Sequence, residues 1–316
     1  MRSVVIGIGV ALPEKCVTND DLSATLDTSD EWISQRTGIR QRHIAGAGET
    51  TVSLSAEAAA RALDQAKVSP QDIDLTIVGT VTGDYTFPST AALVQKKLGI
   101  CGGIAFDLSA ACSGFLYGLT VADSLMKCGQ VKNALVIGAD TFSRILDWTD
   151  RSSCILFGDG AGAVVLQAQE NTSLGIIYSK TYCDAEYTDI LITTGGVSTT
   201  QNSGFVTMNG REVFRLAVEK FQSALTELLQ KNDLEISDID FIVPHQANWR
   251  IIKKIIDFTG IDEKKVIVTV DKHANTSAAS IPLALNEIKN EISSGKNVIL
   301  LSVGAGLTWG ASLIRI

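Results

Sequence analysis

The segment GGIAFDLSAACSGFLYGLTVADSLMKCG, Gly102–Gly129, joins a short apolar run to a longer stretch whose apolar residues recur at spacings of three and four. The first part reads as a buried strand and the second as a helix, so Cys112 falls at the turn between them. Unpaired N–H groups and the dipole at a helix start favour negative charge. They are expected to lower the cysteine from a pKa of about 8.5 toward neutrality. Small residues at 109 to 114 let a substrate approach the backbone. This is the geometry of a nucleophile elbow, although the G-x-S-x-G motif is absent. A lone cysteine in apolar sequence is more often a packing residue, so the partners that the fold brings to Cys112 decide its role.

The chain has 316 residues, 45% hydrophobic and 20% charged, enough for a large core built as one big domain or two similar halves. Cysteines at 16, 101, 112, 128, 154 and 183 have neither C-x-x-C nor disulfide-framework spacing, and three histidines supply no zinc pattern. A reducing cytoplasm is the simplest location. The start, MRSVVIGIGVALPEK, has the charge and apolar run of a signal peptide but no A-x-A site, and VVIGIGVAL serves as a first strand. No apolar run approaches the length of a membrane helix. A net charge of −8 argues against general nucleic-acid binding.

Comparison of the two halves shows an internal echo about 165 residues apart, in three parts. DIDLTIVGT (72 to 80) follows the amphipathic segment SAEAAARALDQAKV, and DIDFIVPHQ (238 to 246) follows EVFRLAVEKFQSALTELLQKN. IAFDLSAACSG (104 to 114) is echoed by VIVTVDKHANTSAAS (266 to 280), each read as a strand through Asp107 or Asp271 into a small-residue turn and a helix. The pair NALVIGAD and FGDGAGAVVLQ (133 to 167) is echoed by NVILLSVGAGLTWGASLIRI (297 to 316). Strands alternating with helices indicate mostly parallel sheets covered by helices, here a duplicated α/β fold with halves at 1–170 and 171–316.

Pseudo-symmetric halves place equivalent strand-to-helix turns together, so the Cys112 turn is expected to face KHANTSAAS, with the strand end VPHQANWR close by. These segments carry Asn275 and His245. A Cys, a His and an Asn at three strand ends suit thiol chemistry on an activated carbonyl. The glycine-rich SVGAGLTWG, 302 to 310, is able to offer a backbone N–H to an oxyanion. Taken singly, His245 would more often be a satisfied core or surface histidine.

Taken together, DTSDEWISQRTGIRQRH, AACSG, FGDGAGA, PHQAN and NTSAAS resemble β-ketoacyl-acyl carrier protein synthase III, of the thiolase-like superfamily, over essentially the whole chain. The resemblance implies a duplicated thiolase-like fold and a catalytic triad of Cys112, His245 and Asn275. A thiolase would be expected to show a second cysteine, and an elongating synthase a second histidine, where this chain has Asn275. His273, Ala274 and Ala305 depart from the family pattern beside the site. The implied reaction is attack of Cys112 on an acyl-CoA primer, then decarboxylation of malonyl-acyl carrier protein. His245 and Asn275 would steady the enolate, and the amides of Cys112 and Ala305 the second oxyanion.

By the same resemblance Trp32, Arg36 and Arg151 hold the CoA nucleotide, and Gly210, Ala247 and Asn248 line the pantetheine tunnel. Phe142 and Phe157 border the acyl pocket, which Phe87 would enter from a neighbouring subunit. Three phenylalanines around one small cavity favour acetyl-CoA over long primers. Arg250, Lys253 and Lys254 share one helix face, ordinarily solvated, that would attract an acidic carrier protein. The implied assembly is a homodimer, which glycine- and alanine-rich central strands would suit. No cofactor beyond the substrates is implied. Two rivals from other classes remain at this stage, an acyltransferase or thioester hydrolase without the decarboxylating step and a silent CoA-binding protein, and beside them stands a related acyltransferase or condensing enzyme of a specialised metabolic pathway.

Overall fold

Two sheets organise the chain in the computed structural model, which describes residues Met1–Ile316. The first contains β1 (Arg2–Ala11), β2 (Leu75–Gly79), β3 (Ile104–Leu108), β4 (Asn133–Asp140) and β5 (Gly160–Gln169), in the order β1-β5-β4-β2-β3. The second contains β6 (Gly175–Cys183), β7 (Phe241–Pro244), β8 (Asn297–Gly304) and β9 (Thr308–Arg315), in the order β6-β9-β8-β7. Read in those orders the sheets match strand for strand: β1 with β6, β5 with β9, β4 with β8 and β2 with β7. The first and third parts of the sequence echo are thus one topology used twice.

The sheets are mixed rather than mostly parallel. Only the β3–β2 and β2–β4 neighbours pair in parallel in the first and only β7–β8 in the second, because β5 and β9 each run antiparallel to both of their neighbours. The strand expected through Asp271 does not form, and β3 has no counterpart. Val266 makes an isolated parallel bridge to Ile242, and the chain then turns into the short helix Val270–His273. The reason is a side chain. Gln246 Oε1 accepts the N–H groups of Thr269 and Val270, and its Nε2 donates to the carbonyls of Pro244 and Ile267. One buried amide thereby satisfies backbone groups that a strand ladder would otherwise pair.

Seven helices matter for the site: α1 (Asp30–Thr37), α2 (Thr51–Ala66), α3 (Thr90–Leu98), α4 (Gly114–Lys127), α5 (Gly210–Lys231), α6 (Trp249–Thr259) and α7 (Ser280–Leu285). They build five layers. α2 and α3 cover the outer face of the first sheet, α4 and α7 lie between the sheets, and α5 covers the outer face of the second, with α6 packed against it. α4 is central because Phe115, Leu116, Leu119 and Met126 recur on its buried face. Full burial of such a side chain stabilises the fold by about 1.5–3 kcal/mol. α2 starts where Thr50 and Ser53 close a capping box.

The sheet glycines serve approaches inside the chain, not the association of sheets across a two-fold axis. An added Cβ at Gly9 would lie 2.2 Å from the Ala58 carbonyl of α2, and one at Gly138 would lie 2.1 Å from the Ala278 carbonyl. No helix is long and apolar enough to cross a membrane.

Candidate active site

Cys112 sits in the one-turn segment Ala111–Ser113 that links β3 to α4, and it is buried. The equivalent turn of the second half, Ser277–Ala279, leads into α7 and packs against it. Contact is close because the facing residues are small: an added Cβ at Gly114 would stand 3.5 Å from the Ala278 Cβ. The juxtaposition of pseudo-symmetric turns expected from the sequence is therefore present.

His245 follows β7, its N–H donating to the Leu301 carbonyl at 2.7 Å. Its Nδ1 lies 2.5 Å from Ser280 Oγ, which also accepts the Gln246 N–H at 3.3 Å. The serine hydroxyl therefore has its proton free for Nδ1, a network that assigns the ring hydrogen to Nε2. Burial pushes the His245 pKa down to about 3, so the ring is neutral at physiological pH.

Asn275 is fixed by its backbone, which donates to Leu156 O at 2.9 Å and accepts from Gly158 N at 3.0 Å. Its Oδ1 accepts the Ser277 N–H at 2.8 Å, leaving Nδ2 as the amide's free donor. Ala274, just before it, has φ 57° and ψ −158°, a conformation natural only to glycine. Ala274→Gly is accordingly expected to raise unfolding free energy by about 1 kcal/mol, strain relief exceeding the entropic cost of glycine. Urea denaturation checks this, and a less stable variant would contradict it.

The expected depression of the Cys112 pKa is not found. Desolvation at a fully buried position pushes the thiol up to about 12, with the nearby Asp140 carboxylate adding to the rise. Regular α-helix begins only at Gly114, so the dipole acts from beyond the turn and loses to burial.

Two cavities meet at Cys112. The first, about 410 Å³, is lined by Cys112, His245 and Asn275, and by Phe157, Gly210, Ala247, Asn248 and Arg250. The second, about 660 Å³, is lined by Cys112, Phe142, Ala305 and Thr308. They share Cys112 and Leu191 alone. Phe142 and Phe157 stack with centroids 4.2 Å apart but face different cavities. Phe87 lines neither and is 84% exposed. The three phenylalanines thus do not enclose one small pocket within a single chain.

Trp32, Arg36 and Arg151 come together without lining either cavity, with the guanidinium carbons 4.3 Å and 5.2 Å from the indole centroid. Arg151 is also paired with Asp27 at 3.2 Å. On α6, Arg250 and Lys254 are exposed, whereas Lys253 pairs with Asp257 at 3.4 Å and Glu263 at 3.8 Å. Asn248 caps α6 by accepting the Arg250 N–H. Sequence reading missed Arg211, which lines the first cavity beside Gly210, and also Ser280. Adjacency to Gly210 in NGREVFR could have pointed to Arg211; nothing local marks Ser280.

A thiol and two neutral N–H donors around one cavity are the parts needed to form a thioester and to hold an oxyanion. Comparison with known proteins agrees with this chemistry. The family described as 3-Oxoacyl-[acyl-carrier-protein (ACP)] synthase III matches residues 106–185, and its C-terminal counterpart matches residues 229–316. Beta-ketoacyl-[acyl-carrier-protein] synthase III of Paramagnetospirillum magneticum is 53% identical, covering 100% of this chain and 99% of the relative. The crystal structure of 3-oxoacyl-[acyl-carrier-protein] synthase III from Aquifex aeolicus matches with a TM-score of 0.94 at 44% identity, over 99% of this chain and 100% of that one. The priming β-ketosynthase of the R1128 polyketide pathway matches with a TM-score of 0.93 at 33% identity, over 99% and 96%. With a thiolase-like duplicated fold and full-length likeness at this level, the chain belongs to the 3-oxoacyl-[acyl-carrier-protein] synthase III family of condensing enzymes.

Proposed function

We propose that this chain joins a short acyl-CoA primer to malonyl-acyl carrier protein by decarboxylating condensation, the initiating step of fatty acid synthesis. The observation that carries the reading is the convergence of the Cys112 thiol, the Nε2–H assigned to His245 and the Nδ2 of Asn275 on one cavity. Cys112 attacks the primer thioester, its S–C bond forms as the CoA S–C bond breaks, and CoA leaves. Loss of CO₂ from the malonyl group then puts an enolate oxygen where His245 and Asn275 donate to it. The enolate carbon attacks the acyl-Cys112 carbonyl, whose oxyanion meets the amides of Cys112 and Ala305. No resident cofactor is needed. Cytoplasmic residence fits the six free cysteines.

Gly210, Ala247 and Asn248 line the route for a narrow pantetheine arm. Trp32, Arg36 and Arg151 receive the nucleotide by stacking and ion pairing. Arg250 and Lys254 offer positive charge at the mouth to an acidic carrier protein, with Lys253 contributing less because its charge is already paired.

The second cavity receives the acyl chain, and in a homodimer the exposed Phe87 of a second copy closes it. Val81, Tyr85 and Phe87, in the loop after β2, and Ile104, on the edge strand β3, are exposed apolar residues suited to a two-fold contact. Sedimentation is expected to show a dimer, and a stable, fully active monomer would refute it. In the dimer, acetyl-CoA is preferred over octanoyl-CoA by at least about tenfold in kcat/KM. Phe142→Ala and Phe87→Ala both relax that preference. Equal efficiencies in the unaltered protein would show that the pocket does not measure chain length.

Mass spectrometry after mixing with acetyl-CoA tests the whole reading. A stable adduct on Cys112 that malonyl-acyl carrier protein clears, with release of the ketoacyl product, is the expected result. An adduct cleared only by water or an alcohol would identify a hydrolase or acyltransferase. No adduct would leave only CoA binding.

A further inference from the structure

The two halves of the fold differ at one pair of matched positions beside the nucleophile. Ala134 of β4 and Val298 of β8 are each the second residue of their strands, and they oppose Leu75 of β2 and Phe241 of β7. Four residues further on, Gly79 therefore corresponds to His245. Gly114 and Ser280 correspond as the first residues of α4 and α7, each directly after a one-turn segment.

In the first half these positions meet backbone to backbone. An added Cβ at Gly79 would lie 2.5 Å from the Gly114 carbonyl carbon, and one at Gly114 would lie 3.1 Å from Gly79 Cα. In the second half the same approach of strand end to helix start is made by side chains, with His245 Nδ1 2.5 Å from Ser280 Oγ and both residues buried. The fold brings the two elements together twice, and only the half that faces the first cavity with a histidine spends the contact on a hydrogen bond.

Counting hydrogens gives that bond its direction. Ser280 Oγ already accepts the Gln246 N–H at 3.3 Å. If Nδ1 donated as well, the oxygen would take two N–H groups and its own buried hydrogen would have no acceptor, which is costly. With the hydroxyl donating, every hydrogen is placed and Nε2–H is left for the cavity. The other tautomer would turn a lone pair on Nε2 toward an incoming enolate oxygen and repel it.

We propose that Ser280 is a positioning residue for the condensation half of the cycle: through Nδ1 it sets the tautomer and orientation of the His245 ring, and so makes that ring a donor. The proposal rests on His245 meeting the enolate, as in the reaction above. Ser280 itself lines neither cavity, and acylation of Cys112 does not depend on it.

Ser280→Ala removes the hydroxyl alone, and Ser280→Thr keeps it. Two readouts apply to the full chain labelled with [15N]histidine: the long-range proton–nitrogen spectrum of the rings, in which His245→Ala identifies the His245 signals, and the rapid-quench rates of the two half-reactions. The unaltered protein is expected to show His245 as the Nε2–H tautomer alone. Ser280→Ala is expected to lose that single signature. It should acylate with acetyl-CoA within a few-fold of normal, while its pre-formed acyl-enzyme condenses with malonyl-acyl carrier protein about tenfold or more slowly. Ser280→Thr is expected to restore the signature and most of the rate.

An Nδ1–H tautomer in the unaltered protein would overturn the proposal without any variant. So would Ser280→Ala with an unchanged ring spectrum, with normal condensation, or with both half-reactions slowed alike. Normal condensation by His245→Ala would instead overturn the role of His245 beneath it, so the two failures are distinguishable.

Discussion

Cys112→Ala will acquire no acyl group from acetyl-CoA, whereas His245→Ala and Asn275→Ala will still be acylated and will lose condensation by about 10²–10³-fold each. The separation follows from the hydrogen bonds. Both donors have their other polar atom already engaged, His245 by Ser280 and Asn275 by the Ser277 N–H, so each presents a nitrogen donor and no basic atom. Neither can replace the thiol, and neither is needed to break the CoA thioester. Because burial holds His245 down at about 3 against an ordinary value near 6.5, its neutral donor form persists at every pH above that depressed value. Turnover of pre-formed acyl-enzyme should therefore show no inflection near pH 6.5. Such an inflection, or an acyl group trapped on Cys16, Cys101, Cys128, Cys154 or Cys183 instead of Cys112, would contradict these assignments.

Gly304→Ala should be nearly as damaging without touching any reacting atom. Gly304 ends β8 directly against the nucleophile turn. An added Cβ would lie 2.8 Å from Cys112 N, 2.9 Å from Ser113 N and 3.0 Å from Ala110 O. All three are backbone atoms, so no side chain can swing away. Overpacking of this kind costs about 1–3 kcal/mol of stability. Displacing the Cys112 amide also removes a donor from the acyl oxyanion, a loss of about 10²-fold or more in rate. Steady-state kinetics beside thermal unfolding check both, and a variant with normal kcat would show that the turn yields easily.

Much of this architecture is readable from local pattern because its decisive units are local. The change from a strand run to a three-four repeat around Cys112 locates the turn, and the echo of DIDLTIVGT in DIDFIVPHQ locates the strand end that carries His245. What lies between 266 and 271 misleads for an equally physical reason. VIVTV alternates and branches like a strand, but pattern does not reveal that Gln246, twenty or more residues earlier, occupies its backbone groups. The Cys112 thiol misleads likewise, since a helix start is visible in sequence and total desolvation is not. Ser280 and Asp140 reach the site through pairings 35 and 138 residues apart in the chain. Phe142 and Phe157 illustrate a finer limit. Two stacked rings look equivalent in a list of positions, yet they wall different rooms.

The two cavities joined only at Cys112 and Leu191 have a consequence for traffic. In the proposed reaction both CoA and the carrier protein's arm use the first cavity, and the acyl group lies beyond the sulfur in the second. On that reading the two arms share a single entry. The first arm must back out before the next can enter, while the cargo stays parked on the sulfur at the junction. Alternation of the two donors then follows from the shared entry, and free CoA delays the cycle by standing in the lane that the incoming malonyl arm needs.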